Sequence, residues 1–302
     1  MNAHQRRSPF AALGTAAVGA LQWRLMLLWI VVTLLPTLVV ALPLWGLLDN
    51  LLGHSVHADS WAAHFDGLMF ADVMAALRGG KGWIGMAFVA GVLVTLLTAP
   101  FLAAMVVASG RAQRALGFGG LLQGGAAEYG RMLRLSILSL IPYGIFIALT
   151  HGVSSFADDK VDAALSVVRA DTYQHAALAV TLLIFVIAQA IVESARAQFM
   201  ADSSLRSAFR ALGRGTVAAL RRPFATLFVY GVITLVGMVL AVAIASWRGH
   251  TTAVGSGWLA GFLIVQLGVV VLAWMRTARL LALAGLVAVN PRRRRTDFAP
   301  AL

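Results

Sequence analysis

Residues Ser203 to Ser246 read SSLRSAFRALGRGTVAALRRPFATLFVYGVITLVGMVLAVAIAS, and the two halves obey different rules. In Ser203–Arg222, Leu205, Ala208, Phe209, Leu212, Thr216, Ala219 and Leu220 fall on one helical face. Arg206, Arg210, Arg214 and Arg221 fall on another. Such a helix lies in a membrane interface, its arginines reaching phosphate headgroups. From Phe224 to Ser246 there is no charge, over a stretch long enough to cross about 30 Å of hydrocarbon. Pro223 stands where a helix can begin, because a first-turn residue needs no N–H. The unit is an interfacial helix followed by a membrane span.

The whole chain has the composition that this unit implies. Hydrophobic residues make up 60% of 302 positions and charged residues 12%. Soluble domains carry about 25% charged residues, and their cores cannot grow to hide so much apolar surface. Lipid is the remaining solvent. There is no cysteine, which removes disulfides, thiolate metal sites and thiol nucleophiles. The net charge of +12 reads as topogenic charge beside anionic lipid, with no nucleic-acid partner.

Six stretches are apolar and long enough to cross: Leu25–Leu48, Trp83–Ala108, Leu135–Thr150, His175–Val192, Phe224–Ser246 and Gly257–Met275. The third is short, although 132–153 would reach across. Backbone in hydrocarbon must bond to itself, so these are helices. Segments 1–24, 109–134, 193–223 and 276–302 hold 19 of the 24 Lys and Arg, while the opposite loops hold 8 of the 12 acidic residues. The positive-inside rule puts the first set, and both termini, in the cytoplasm of a bacterial inner membrane. Arg6 and Arg7 precede the first span, but that span is longer than a signal-peptide core and no clear cleavage site ends it. A retained anchor is expected.

A repeat runs in phase with this topology. Ser109-Gly110-Arg111-Ala112-Gln113 follows span two, and Ser194-Ala195-Arg196-Ala197-Gln198 follows span four. Arg276-Thr277-Ala278-Arg279 is a looser echo after span six. Before spans one and five, residues 10–21 and 209–220 agree at seven of twelve positions. Before span three, Leu122, Gly125 and Arg131 parallel Leu212, Gly215 and Arg221. The alternative is chance likeness among Ala, Leu, Gly and Arg. The expected fold is all-α: a single polytopic membrane domain over 1–302. Its six spans form three pseudo-repeated hairpins ringed by cytoplasmic amphipathic helices.

Few residues point to chemistry. Glu193, at the end of span four, is expected to form a structural ion pair with Arg196, with Arg276 as the alternative. Gln189 and Gln266 are the deepest polar side chains, suited to hydrogen bonds between helices. Pro36, Pro100 and Pro142 are candidate helix kinks that could shape a solute path. Gly257-x-x-x-Gly261 permits close packing in span six. His54, His57 and His64 with Asp59 and Asp66 match no metal spacing. Beside Trp61, Phe65, Leu68 and Met69 they read better as the wet side of an interfacial helix. The 291–302 tail, with Arg292, Arg293, Arg294 and Arg295, reads as a flexible topology or lipid-contact element, or as an anchor for a cytoplasmic protein. Nucleotide-binding and hydrolase motifs are missing, so no catalytic residue, cofactor or metal is assigned.

The Arg111-Ala112-Gln113 and Arg196-Ala197-Gln198 motifs and the Ser203–Arg222 helix resemble those of loosely grouped bacterial six-span proteins. These are the membrane domain of some glycerophosphodiester phosphodiesterases and the YciC-like inner-membrane proteins. The resemblance implies the six-span layout and carries over no catalytic residue. The function expected is a non-enzymatic membrane protein acting through anionic lipid and an unidentified protein partner. The alternative is a transporter, or transporter subunit, for a lipid-like or amphipathic solute.

Overall fold

The computed structural model describes residues 9–53, 55–57, 60, 67–78, 82–112, 115–164, 166–251 and 257–288. They are mostly helical, with no strand among the described residues. The order is α1 (Pro9–Gly19), α2 (Trp23–Leu52), α3 (Gly67–Arg78), α4 (Gly82–Arg111) and α5 (Phe118–Leu138). Then come α6 (Leu140–Asp162), α7 (Val167–Ala201), α8 (Ala208–Arg221), α9 (Pro223–Gly249) and α10 (Gly257–Ala288). Six helical stretches are long and apolar enough to cross a membrane, so the chain is an all-α polytopic membrane protein.

The spans pair as three hairpins: α2 with α4, α6 with α7, and α9 with α10. The second member of each pair is central, since α7 packs against both α4 and α10. The three helices that precede the hairpins, α1, α5 and α8, follow one rule. Each packs on the second span of the preceding hairpin: α5 on α4, α8 on α7, and α1 on α10, which closes the ring. Each also leads into its own span through a short joint: residues 20–22, Ser139 and Arg222.

Small residues make these contacts close. A Cβ added at Gly215 of α8 would lie 2.5 Å from the backbone N of Ala195 and 2.6 Å from its Cα. At Gly125 of α5 it would lie 2.7 Å from Met105 and 3.0 Å from Phe101. Ala16 of α1, in the same repeat register, is buried with Ala278. Small side chains let helix backbones approach, which is the main source of packing energy where lipid already solvates apolar groups.

The core sits at the end of the bundle that carries α1, α5 and α8, called here the basic end. Trp29, Leu102, Met105, Leu121, Phe199, Ala211 and Leu283 meet there. Farther along, Leu93, Leu96, Ile145, Leu182 and Leu240 are exposed. Those are the faces that hydrocarbon would cover.

Several helices outrun the apolar stretches seen in the sequence. The sixth ends at Ala288 instead of Met275, because residues beyond Met275 still pack on α1. The fourth runs on to Ala201 under α8. The third span is α6, which starts at Leu140 directly after the buried joint Ser139. Pro142 therefore stands in the first turn of α6, where it removes no intrahelical hydrogen bond, and it does not interrupt a span. Pro36 and Pro100 do lie inside continuous helices, and Pro43 joins Pro36 in α2. Near Pro100 the Tyr129 hydroxyl donates to the Leu97 carbonyl at 3.1 Å, in the turn that a proline loosens. Gly261 does give close packing, but its neighbour is the Arg248 side chain.

Candidate functional site

Membrane-embedded charge is costly, and the buried charges of the spans gather around Glu193. Glu193 lies in α7 at 5% exposure. Its Oε1 pairs with Arg279 Nη2 of α10 at 2.7 Å. This corrects the sequence expectation of Arg196. Glu193 and Arg196 share one helix, whereas α10, packed on α7, brings Arg279 within ion-pair distance of Glu193. Arg196 and Arg276 remain near enough to act on Glu193 through charge alone.

Arg279 is held on a second side by α9. Its Nη1 donates to the Tyr230 hydroxyl at 3.2 Å and to Thr234 Oγ1 at 3.1 Å. The guanidinium centre is 4.7 Å from the Tyr230 ring centroid. Thr234 in turn donates to the Tyr230 carbonyl at 2.7 Å. A planar, always-charged guanidinium suits this fork of partners better than an ammonium would. The arrangement is incompletely paired: Glu193 Oε2, Arg279 Nε and Thr277 Oγ1 are buried without a hydrogen-bond partner.

The cluster continues into α6 and α2. Tyr143 donates to Gln189 Oε1 at 3.1 Å, the bond between helices expected of Gln189. Gln266 differs, because its buried Oε1 has no partner. Arg276 lies 5.7 Å from the Trp29 ring of α2, a cation–π contact. One carboxylate thus serves three guanidinium groups, and the surplus is positive. Such a site can attract an anion at the basic end. It contains no nucleophile paired with a base.

A second network ties repeat one to repeat two. Arg111 pairs with Glu128 of α5 at 2.6 Å and donates from Nε to the Phe199 carbonyl at 3.0 Å. Arg131 joins Glu128 at 3.1 Å. Arg111 thereby meets the C-terminal carbonyls of α7, where positive charge is favoured.

The arginines of α8 divide. Arg214 pairs with Asp202 at 3.0 Å and is engaged. Arg206, Arg210 and Arg221 are exposed and enter no ion pair among the described residues. The apolar face expected for this helix also divides. Ala208, Ala211, Gly215 and Ala219 are buried, while Phe209 and Leu220 are 70% and 66% exposed. Arg292 to Arg295, His54, His64, Asp59, Asp66, Trp61 and Phe65 lie outside the described residues.

Sequence reasoning missed Arg279, Tyr230 and Thr234. Tyr230 and Thr234 stand four apart, one above the other, in an otherwise apolar span, and that pattern is the signal that points to a partner. No protein-family model, no curated protein and no solved structure matches the chain.

Proposed function

We propose that this chain is a non-enzymatic protein of the bacterial inner membrane whose basic end faces the cytoplasm. There it works by holding anionic lipid and a protein partner. The observation that carries this reading is the surface of α8. Phe209 and Leu220 are exposed beside Arg210 and Arg221, which enter no ion pair among the described residues. Exposed apolar groups flanked by free guanidinium groups match the boundary between acyl chains and phosphates. The asymmetric spread of arginine supports the orientation.

The test is native mass spectrometry of the protein extracted gently from its own membrane. Co-extracted anionic lipid, with or without a bound protein, is the expected result. A bare protein with no preference for anionic lipid overturns the reading. Reporter fusions after Arg111 and Ala201 should both read as cytoplasmic.

A second reading, transport of a lipid-like or amphipathic solute, is favoured by a break in the ring. α2 packs on both α4 and α10, and α9 packs on both α10 and α7. α6 packs on α7 but has no comparable contact with α4 among the described residues. A groove of about 520 Å3 between α6 and α7, lined by Leu149, Val153, Phe156, Tyr173 and Val180, is apolar. Flux of a labelled amphiphile across proteoliposomes, absent from protein-free vesicles, would put this reading first.

A further inference from the structure

The junction of α5 with α8 contains a cavity of about 390 Å3. Arg134 and Arg206 line it, together with Ile137, Leu138, Ala208 and Phe209. Both arginines are exposed and enter no ion pair among the described residues. Ile137 and Phe209 are exposed as well, so the cavity has a cationic rim and an apolar wall.

The corresponding junction one repeat earlier is bridged by the chain's own side chains. There Arg24 Nη1 donates to the Leu116 carbonyl at 3.4 Å. Trp23 meets Phe118 edge-on, with ring centroids 5.5 Å apart. Phe118 opens α5 as Phe209 nearly opens α8, and Arg24 is adjacent to Arg134 in the repeat register. Repeat one uses its arginine and aromatic groups to close the joint. Repeat two holds two arginines at an open one.

We propose that this cavity binds one anionic phospholipid. Its phosphate sits between Arg134 and Arg206, and an acyl chain runs along Ile137, Leu138 and Phe209. Two guanidinium groups suit a phosphate through paired, charge-assisted hydrogen bonds. The first turn of α8 lies on the same rim. Ser207 Oγ accepts from Arg210 N there at 3.3 Å, and positive first-turn N–H groups of a helix favour a nearby anion. The proposal rests on the lipid-contact reading and gives it an address.

The test uses the full chain, delipidated in an uncharged detergent and titrated by native mass spectrometry. The probes are phosphatidylglycerol, phosphatidylcholine and inorganic phosphate. Phosphatidylglycerol should bind best. The double variant Arg134→Gln/Arg206→Gln should lose about thirtyfold in affinity for it, two cations at roughly 1 kcal/mol each near an anionic surface. Lys160→Gln/Arg169→Gln, at the α6–α7 turn on the opposite end of the bundle, should lose no more than about threefold. Arg134→Lys/Arg206→Lys should keep most of the binding. Phe209→Ala keeps both charges and should still weaken the lipid, through the acyl contact.

Equal losses in the two glutamine pairs, or an unchanged Phe209→Ala, overturn the site. If anionic preference survives those results, the broader lipid reading stands without it. Loss of any preference between the two lipids in the wild-type protein sinks both. Full displacement by millimolar phosphate would make this a free-anion site and overturn the lipid as occupant.

Discussion

The indole Nε1 of Trp274 donates to the backbone carbonyl of Ala17 at 2.9 Å, joining helices whose bonded residues are 257 positions apart. This bond fastens the helix before the first span to the last span. Trp274→Phe keeps an aromatic ring, though a smaller one, and removes the donor. The expected cost is about 1 kcal/mol, so amide exchange in α1 should rise roughly fivefold. Unchanged exchange would mean that α1 is held by Ala16 and Ala20 packing alone.

Two glycines on α8 predict opposite signs. Gly213 has nothing within 4 Å of an added Cβ, whereas Gly215 abuts the Ala195 backbone. Gly213→Ala should stabilise by up to about 1 kcal/mol through reduced chain entropy. Gly215→Ala must push α8 off α7 and should destabilise by about 1–3 kcal/mol. Unfolding in mixed micelles measures both, and equal signs would refute the close contact.

The Glu193–Arg279 pair is predicted to matter most when half of it is removed. Glu193→Ala strands Arg279 among α7, α9 and α10 and should cost about 3–5 kcal/mol. Replacing both, as Glu193→Leu with Arg279→Met, should cost much less, since no buried charge is left over. A double variant as unstable as the single one would show that Arg279 was not stranded by the loss of Glu193.

Asp202, just past the end of α7, carries a pH dependence. The Ser204 hydroxyl bonded to its carboxylate, with help from Arg214, holds its pKa below the ordinary Asp value, although partial burial opposes this. A depressed folded-state pKa stabilises above the unfolded value, and that stability disappears as pH falls through the folded value. The stability difference between wild type and Asp202→Asn should therefore be full at neutral pH and vanish in acid. A constant difference across that range would remove Asp202 from the account.

The spans were legible in the sequence because lipid imposes length and apolarity on each segment separately. Pro223 and the arginine stripe of α8 were readable for the same local reason. The partner of Glu193 was not. Arg196 lies three residues away and looks available, but the choice depends on how α7 and α10 are rotated about their axes. Only packing sets that rotation. The cavity at Arg134 and Arg206 was hidden similarly, since 72 positions separate its two cations. The division of the α8 apolar face was also illegible. Small Ala and Gly on one edge face protein, and large Phe209 and Leu220 on the other face outward, yet all count as apolar in a pattern.

The contact of α1 with α10 sets an order of events during synthesis. α1 leaves the ribosome long before the surface it docks on is made. At about 5–20 residues per second, the roughly 257 intervening residues hold it unpartnered for roughly 13 to 50 s. Throughout that wait the face of Ala16 and Ala20 that α10 later buries needs another surface, and the nearest is the membrane already anchored by α2. Docking of α1 is thus a transfer of that helix from bilayer to protein. A nascent chain stalled before span six should keep α1 on the membrane and open to protease.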